Sequence, residues 1–449
     1  MPDIADRIQA ELASRLGEAQ PQPRLGATRR AVELLGDVHR IAPVVHITGT
    51  NGKTTTARII EALLRAHGLN TGLFTSPHLV SLAERFALNG APVPEERLGE
   101  VWQDIAYVLH VVDTELTEAG EPRLTYFEAL AVLGFAMFAD ATVDVIVLEV
   151  GMGGEWDATN VADGDVAVFT PIALDHVERL GRSIEEIART KAGIIKQGAR
   201  VVTAQQPEAA LAVLRAVAAD HEATIAVEGT DFSLLDTVVG VGGQAIEVQG
   251  LAAKYEGLLP LYGDHQASNA ALAIAAVEAL LGDGAQPIDE EILEEGLAEV
   301  TSPGRLQRIS GTPTVLVDGA HNPAGATVLA QAMPKYFSFE GLALVIGIVS
   351  DKDVEGILRQ LVPLAERVII TSAKSERSIP AEQLAVRARD VLGNEAGKVE
   401  VVAEVPAAIA HARAWAGEVS GRGVLVTGSL ILAGEALSTA LSEGWFGRG

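Results

Sequence analysis

The sequence predicts an α/β protein with two domains: a larger N-terminal domain built on a mostly parallel sheet, and a smaller C-terminal Rossmann-like α/β domain. Two observations carry this prediction. Short apolar runs typical of buried strands alternate with helical segments, and the alternation starts again after a break at TSPGR, Thr301 to Arg305. The 449 residues allow two or three domains of ordinary size. We therefore expect domains at about 1–300 and 301–449.

Four strands are predicted early in the N-terminal domain because their apolar residues follow one another without alternation, as in a parallel sheet covered on both faces. These strands are VVHIT (44–48), TGLFTS (71–76), VDVIVLEV (143–150) and DVAVFTP (165–171). Helices are predicted between them. One runs from Thr54 to His67 and is stopped by Gly68, and a strongly apolar one covers about 127–139.

The second half of this domain continues with a helix whose start is marked by Ser183. The segment S-I-E-E has the pattern of a capping box, and the helix is expected to reach about Lys191. Residues 231–250 predict a hairpin insertion, and 265–282 predict a helix that ends at a glycine. In the C-terminal domain, strands are predicted at 314–320, 342–350, 367–373, 399–404 and 423–429.

Composition excludes several classes of function. With 34 Lys and Arg against 60 Asp and Glu, the net charge of −26 argues against nucleic-acid or anionic-membrane partners. The absence of cysteine excludes disulfides, thiolate metal sites and cysteine nucleophiles. The apolar run Ala129 to Ala139 is too short to span a bilayer, and the charged N-terminus, Met1 to Ala19, lacks the apolar core of a signal peptide. We expect a cytoplasmic protein.

A glycine-rich loop, GTNGKT (49–54), lies between the first predicted strand and its helix. In such a loop the backbone N–H groups and the helix N-terminus favour a phosphate, Lys53 neutralises its charge, and Thr54 lies near Mg²⁺ or a phosphate oxygen. The general P-loop has a further glycine five residues before Gly52, where this chain has Ile47, so the loop is a shorter variant. The N-terminal domain is thus predicted to contain a P-loop. A plain glycine turn that caps a helix is the alternative.

Other candidate residues stand at the ends of predicted strands, where open α/β sheets bind ligands. Glu149 is a candidate Mg²⁺ ligand, Asp175 and His176 follow another strand, and the Ser76 hydroxyl could also reach a metal. Each also has an ordinary structural explanation, such as a salt bridge for Glu149 or a surface position for His176. Lys191 is either solvated or, if buried, expected to lose its proton or be modified. No N-K-x-D segment supports a GTPase.

Seven segments, in this order, resemble the folylpolyglutamate synthase/dihydrofolate synthase family within the Mur ligase superfamily. GTNGKT alone is shared by all Mur ligases. The narrower signature consists of TSPHLVSLAERFALNG (75–90), LTYFE (124–128), EVGMGGEWDATN (149–160), LDHVERLGRSIEEIARTKAGI (174–194), DHQASNA (264–270), PGRLQ (303–307) and VDGAHNP (317–323).

The resemblance implies roles for the matching residues. Catalytic roles fall to Lys53, His176, Lys191 and His321. One Mg²⁺ is expected on Ser76 and Glu149, and a second on His176 and a carbamylated Lys191. ATP is expected to contact Thr50, Asn51, Gly52, Lys53, Thr54, Asn269, Arg305 and Asp318. The pterin and pteroate site is expected at Arg24, Leu25, Gly26, Ala27, Thr125, Tyr126, Phe127, Glu128, Trp156, Asp157 and Ala158. Two residues depart from the family pattern: Thr54 replaces a common glycine, and Trp156 a commonly aliphatic residue.

The activity implied by the resemblance is the ATP-dependent addition of L-glutamate to reduced folates, and also to dihydropteroate, through an acyl phosphate. The partners would be these small molecules alone, and the protein a monomer. A murein peptide ligase, which acts on a UDP-sugar peptide, is the nearest alternative. LTYFE and TSPHL favour folate, and only about 40 residues precede the first strand, which leaves little room for a UDP-binding domain. An ATP-binding regulator without catalysis is the alternative from another class.

Overall fold

The computed structural model of the protein describes residues 4–18 and 20–445. The chain divides into two compact units. The first comprises Met1–Gly240, Gln244–Pro260 and Gln266–Thr301, and the second comprises Val241–Gly243, Leu261–His265 and Ser302–Gly449. Residues 1–3, 19 and 446–449, which fall within the N-terminal segment and domain ranges predicted above, lie outside the described part. The predicted division into functional domains at 1–300 and 301–449 stays a prediction.

An eight-stranded sheet forms the centre of the first unit. Its strands are β1 (Val44–Thr48), β2 (Thr71–Phe74), β3 (Phe86–Leu88), β4 (Ala91–Pro92), β5 (Val145–Glu149), β6 (Val166–Phe169), β7 (Arg200–Thr203) and β8 (Thr224–Val227). Their order across the sheet is β4-β3-β2-β5-β1-β6-β7-β8. From β2 to β8 every neighbouring pair is parallel, whereas β3 and β4 are added antiparallel at one edge.

The four strands predicted in this region are β1, β2, β5 and β6. Every residue in them is buried. This accounts for their unbroken apolar sequences, because a central parallel strand is covered on both faces and exposes neither face to solvent. The predicted fold class, α/β with a mostly parallel sheet, is confirmed.

Within the described residues, ten α-helices belong to this unit, and the start of one of them, α7, was predicted from its capping residue. They are α1 (Ile4–Ala13), α2 (Gly26–Leu34), α3 (Lys53–Ala66), α4 (Glu95–Glu118), α5 (Tyr126–Asp140), α6 (Val177–Leu180), α7 (Ile184–Ala192), α8 (Glu208–Asp220), α9 (Asp264–Gly282) and α10 (Glu290–Ala298). Ser183 caps α7 by accepting from the Glu186 N–H at 3.2 Å, as predicted. In a full capping box the Glu186 carboxylate would accept from the N–H of Ser183 itself. Here it accepts instead from the N–H of the preceding residue, Arg182, at 2.6 Å.

A separate three-stranded sheet follows β8. It consists of β9 (Ser233–Gly240), β10 (Gly243–Gln249) and β11 (Lys254–Leu259), in the order β11-β10-β9. The predicted hairpin at 231–250 corresponds to the first two strands, which are neighbours in the sheet. The third strand was not predicted, because Lys254–Leu259 carries a glycine and two charged residues among its six positions.

The second unit has its own six-stranded sheet, ordered β12-β13-β17-β14-β15-β16. Its strands are β12 (Gln307–Gly311), β13 (Thr314–Val317), β14 (Gly341–Ile346), β15 (Arg367–Ile370), β16 (Val399–Val401) and β17 (Arg422–Thr427). All pairs are parallel except β12 with β13. The helices are α11 (Pro323–Tyr336), α12 (Val354–Leu361), α13 (Ala381–Leu392), α14 (Val405–Gly417) and α15 (Leu430–Ser442). The smaller Rossmann-like domain is thereby confirmed as a fold.

Among the residues that the structure describes, none forms a helix both long enough and apolar enough to cross a membrane.

Candidate functional site

The candidate site of the first unit lies at the carboxyl edge of its sheet. Strands β2, β5, β1 and β6 are consecutive neighbours and parallel, so the loops that follow them emerge at the same edge. These loops contain the residues predicted from the sequence: the glycine-rich loop after β1, Ser76 after β2, Glu149 at the end of β5, and His176 after β6. Ligands bind at this edge in open α/β sheets.

Two glycines give the loop after β1 its shape. Gly49 has φ +146° and Gly52 has φ +91°, conformations that side chains rarely adopt. A Cβ on Gly49 would lie 1.9 Å from the Thr170 hydroxyl, and one on Gly52 would lie 2.6 Å from Oδ1 of Asn269. Asn269, predicted from sequence to contact ATP, therefore packs directly against the loop. Its position is fixed by a hydrogen bond that its amide donates to Gln266 at 3.0 Å.

The loop leads straight into the N-terminus of α3, which has no side-chain cap. A helix N-terminus that follows a glycine-rich loop favours an anion, as in phosphate-binding loops. The Lys53 ammonium folds back over the loop and donates to the carbonyls of Gly49 and Thr50 at 3.2 and 3.3 Å. The Thr50 hydroxyl instead fixes the loop to the chain after β6, because it donates to the Ala173 carbonyl and accepts from the Ala173 N–H.

Lys191, near the end of α7, reaches the same loop. Its side chain is buried, and its Nζ donates to the Gly49 carbonyl at 2.7 Å. Burial and, to a smaller extent, the neighbouring Lys53 charge lower the pKa of Lys191 to about 7, while Asp175 and Asp157 oppose the shift. Of the two alternatives left by the sequence, the buried lysine is the one observed. A substantial fraction of this amine is neutral near pH 7.

Glu149 lies opposite the loop, with its side chain buried. Its carboxylate accepts from the Thr54 hydroxyl at 2.8 and 3.0 Å and from the backbone N–H of Ser76 at 3.1 Å. Two residues predicted to lie near Mg²⁺, Thr54 and Ser76, therefore both contact the third, Glu149. Carboxylate and hydroxyl oxygens are the hard ligands that this ion prefers.

His176 occupies the turn after β6 and has a left-handed backbone with φ 49°. Its N–H donates to the Asp175 carboxylate at 2.9 Å, and its side chain is 35% exposed. Asp175 also acts electrostatically on Lys191, which places this turn beside the buried lysine. Within residues 4–18 and 20–445, no group of three or more His, Asp or Glu side chains forms a ready-made metal site.

Arg24 and the segment Thr125–Glu128, both predicted to bind substrate, are brought together. The Arg24 guanidinium donates twice to the Glu128 carboxylate, at 2.9 and 3.1 Å. Glu128 also closes a capping box with Thr125 at the start of α5. The same carboxylate thus fixes the helix start and the arginine. The adjacent predicted residues Leu25, Gly26 and Ala27 form the start of α2, where Ala27 is buried in the core.

Phe127 and Trp156 both pack on the glycine-rich segment after β5. A Cβ on Gly151 would lie 2.5 Å from the Phe127 ring, and one on Gly153 would lie 3.5 Å from Trp156. Tyr126 lies under the Arg85 guanidinium, 5.6 Å from its ring centre. Two of these aromatic side chains therefore line the loop that begins at Glu149.

Asp157 and Ala158 have structural contacts in this unit. The buried Asp157 carboxylate accepts from Met152 N–H at 2.9 Å and from the Thr159 hydroxyl at 2.5 Å, and burial raises its pKa. Thr159 in turn lies 2.8 Å from Nε2 of the buried His46. Since Thr159 donates to Asp157, it must accept from His46. Ala158 is part of the hydrophobic core.

The second unit holds the other predicted nucleotide contacts at its own strand end. Asp318 follows β13, is buried, and accepts from the N–H groups of Leu306 and Ala320, both at 2.8 Å. His321 Nδ1 lies 2.9 Å from the Gly319 carbonyl. A Cβ on Gly319 would lie 3.3 Å from the Arg305 guanidinium. Arg305, Asp318 and His321 are thus close neighbours.

Sequence reasoning missed the residues that shape the loop after β2. Glu84 accepts from three successive N–H groups, those of Leu79, Val80 and Ser81, at 2.7–2.9 Å. Arg85 donates to His78 Nδ1 at 2.8 Å, and burial together with this guanidinium lowers the pKa of His78 to about 4. The signal was present, because S-L-A-E at 81–84 has the capping-box pattern that the structure shows.

Comparison with known proteins identifies the class first. Residues 95–277 match the Mur ligase middle domain, and residues 304–430 match the Mur ligase glutamate ligase domain. The Mycobacterium tuberculosis folylpolyglutamate synthase complexed with ADP superposes with a TM-score of 0.92 at 39% identity, covering 99% of both chains. Escherichia coli FolC in complex with DHPP and ADP gives 0.82 at 30% identity, covering 99% of this chain and 100% of that one. The chain is therefore an ATP-dependent ligase with Mur ligase domains.

The family within this class follows from curated relatives. The dihydrofolate synthase/folylpolyglutamate synthase of M. tuberculosis is 40% identical over 97% of this chain and 94% of its own. That of Bacillus subtilis is 34% identical over 81% and 84%. The chain belongs to the dihydrofolate synthase/folylpolyglutamate synthase family, and the resemblance stated from its motifs is confirmed.

Proposed function

We propose that the protein joins L-glutamate to reduced folates, and also to dihydropteroate, in a reaction driven by ATP. One observation carries the proposal: Lys53 and Lys191 converge on the Gly49 carbonyl beside an uncapped helix N-terminus, across from the Glu149–Thr54–Ser76 cluster. The names of the curated relatives support folate as the acceptor rather than a murein peptide.

ATP solves a definite chemical problem in this reaction. A carboxylate is a poor electrophile, so its oxygen first takes the γ-phosphoryl group of ATP and releases ADP. The amine of glutamate then attacks the acyl phosphate through a tetrahedral intermediate, which expels phosphate. Because two anions must meet in the first step, cations and oriented N–H groups are needed between them. Positioning alone is worth about 7–11 kcal/mol in such reactions.

The glycine-rich loop supplies the phosphate contacts in this proposal. Thr50, Asn51, Gly52 and Lys53 form the phosphate loop, the Lys53 ammonium faces the phosphates, and Asn269 supports the loop at Gly52. In the second unit, Arg305 and Asp318 contact the nucleotide and His321 lies close to it. The domain division proposed here is an ATP- and folate-binding part at 1–300 and a glutamate-ligase part at 301–449.

Two Mg²⁺ ions fit the donors that this chain presents. Glu149 and Ser76 would hold one ion, with Thr54 beside them, and the contacts of Thr54 and Ser76 with Glu149 support this assignment. His176 and a carbamylated Lys191 would hold the other. When bound, such ions neutralise phosphate charge. The protein side chains contribute in two further ways. Lys53 balances the charge of the phosphate being transferred, and Glu149 fixes Thr54 and Ser76 in place.

Carbamylation of Lys191 is supported by its surroundings. Carbon dioxide adds only to a neutral amine, forming an N–C bond and releasing a proton. A pKa of about 7 leaves such an amine available at neutral pH, where a solvated lysine would be almost fully protonated. The carbamate is negatively charged, so the adjacent Lys53 ammonium, which disfavours a charged lysine, favours the carbamate.

The folate acceptor binds in this proposal where Arg24–Ala27, Thr125–Glu128 and Trp156–Ala158 approach the carboxyl edge. The aromatic rings of Phe127 and Trp156 against the Gly151–Gly153 backbone support a flat ligand there. The partners are small molecules, and the protein acts in the cytoplasm as a monomer. The net charge of −26 supports the absence of a nucleic-acid partner.

Product mass tests the proposal directly. The protein is incubated with ATP, Mg²⁺ and glutamate, and offered dihydropteroate, tetrahydrofolate or a UDP-sugar peptide separately. Mass increases of whole glutamyl residues on the first two acceptors are expected, with one ADP formed for each bond. Lys53→Ala should abolish product while leaving the circular dichroism spectrum unchanged. Product on the UDP-sugar peptide alone would refute the folate assignment, and nucleotide binding without product would favour a regulator.

A further inference from the structure

Arg58 lies on α3 one turn after Thr54, on the same face of the helix. Thr54 donates from that face to the Glu149 carboxylate at 2.8 Å. The Arg58 side chain is partly buried, and its Nε is sealed from solvent without a hydrogen-bond partner. The reaction proposed above gives this residue no role.

The arginine two turns further along α3 shows what is unusual about Arg58. Arg65 donates to Glu61 at 3.1 Å and also pairs with Glu299. Across the described ranges, Arg58 forms neither a hydrogen bond nor an ion pair. A guanidinium keeps its charge in proteins, and a partly buried cation without a partner is costly unless something compensates for it.

The compensation comes from three carboxylates that attract Arg58 without touching it, those of Glu149, Glu84 and Glu61. Burial lowers the pKa of Arg58, and these three oppose that shift. Each has other hydrogen-bond partners. Glu84 holds the loop after β2, Glu61 accepts from Thr71 and Arg65, and Glu149 accepts from Thr54 and Ser76. Arg58 therefore acts as a fixed charge rather than as a hydrogen-bond donor.

We propose that Arg58 is the standing counter-charge of Glu149, which prevents a divalent cation from binding there until a nucleotide arrives. Before the nucleotide binds, the Glu149 carboxylate already attracts the Arg58 charge, and the Lys53 ammonium lies over the glycine-rich loop. A divalent cation without nucleotide therefore gains little free energy by binding at Glu149. Triphosphate adds negative charge beside Glu149, so the metal enters with ATP. The inference rests on the proposed role of Glu149 as a Mg²⁺ ligand.

Binding of Mn²⁺ to the whole protein tests this, with paramagnetic resonance to count free ions. Wild type should bind Mn²⁺ weakly alone and much more tightly with the nonhydrolysable nucleotide AMPPCP. Arg58→Met keeps the length of the side chain but removes the charge, and should bind Mn²⁺ alone about tenfold more tightly or better. Arg58→Lys keeps the charge and should behave like wild type. Arg65→Met is the matched control on the same helix.

The outcomes separate this inference from the metal assignment. In the Arg58→Met background, Glu149→Gln should abolish the gained affinity. If AMPPCP-dependent Mn²⁺ binding in wild type is insensitive to Glu149→Gln, the metal role of Glu149 is wrong, and the inference fails with it. If that binding requires Glu149 but Arg58→Met leaves the affinity for free Mn²⁺ unchanged or weaker, only the counter-charge is refuted. A folded Arg58→Gln variant replaces Arg58→Met if the latter unfolds.

Discussion

Lys191 shows how a single side chain can be prepared for chemistry by its position. A lysine at the end of a surface helix is normally protonated, but Lys191 is buried against the Gly49 carbonyl, and its pKa falls to about 7. Desolvation is the largest cause, and Lys53 adds repulsion. The Lys53 charge that destabilises the ammonium would attract a negatively charged adduct such as the proposed carbamate.

Lys191→Ala should therefore lose most ligase activity and regain part of it when short-chain carboxylic acids are added, since these can occupy the place of the carbamate. In wild type, bound ¹³CO₂ should give a carbamate signal by nuclear magnetic resonance. This signal should weaken as the pH falls below about 7, where the amine takes up its proton. Absence of the signal at every pH, together with failure of rescue, would leave Lys191 as a structural cation.

The buried His46 makes a different prediction, about stability. Desolvation lowers its pKa from 6.5 to about 3. Between these values the unfolded chain takes up a proton that the folded chain refuses, so stability falls as the pH falls through this range. The loss from His46 should reach about 2 kcal/mol at about pH 5 relative to neutral pH. Urea unfolding of His46→Gln should show a correspondingly smaller loss, whereas the exposed His110→Gln should match wild type. Equal losses in all three would contradict it.

At the scale of the element, the connection from β1 to α3 depends on glycine. Gly52→Ala forces a Cβ into a left-handed position and against Asn269, which is 2.6 Å away. The loop must shift, so affinity for ADP should fall about tenfold or more, measured by titration calorimetry. Gly68→Ala is the matched control, because Gly68 also has positive φ but nothing within 4 Å. It should cost about 1 kcal/mol of stability and leave ADP binding intact. Equal ADP binding by both variants would argue against the loop as the nucleotide site.

The elements also show how far sequence reasoning reaches. The buried strands β1, β2, β5 and β6 were predictable because unbroken apolar runs need cover on both faces. Strands β7 and β8 were not, since RVVT has only two apolar residues in a row and TIAV is an edge strand whose residues are mostly not buried. In the site, Glu149 was found because it ends a strand. Arg58 was not, because an arginine inside a helix normally faces solvent and only the packing of α3 reveals otherwise.

At the scale of the whole molecule, the negative net charge of the protein repels the proposed substrates. The chain carries −26, while ATP, glutamate and folates are all anions. Attraction must therefore be local, and the cations beside the glycine-rich loop, Lys53 and the partly neutral Lys191, act only at short range. Approach from solution is opposed by the overall field, which extends about 10 Å at 0.1 M salt.

Moderate salt should therefore speed nucleotide capture. Raising KCl from about 10 to about 150 mM shortens the Debye length, which screens the long-range repulsion before it weakens the close contacts with Lys53. The value of kcat/KM for ATP, measured at saturating glutamate and folate, should rise about two- to fivefold, whereas kcat at saturating ATP should stay nearly constant. Potassium acetate serves as the control against a specific chloride effect. A steady fall of kcat/KM with salt would mean that a positive local field dominates the approach, so that the basic residues around Gly49 act over a longer range than their burial allows.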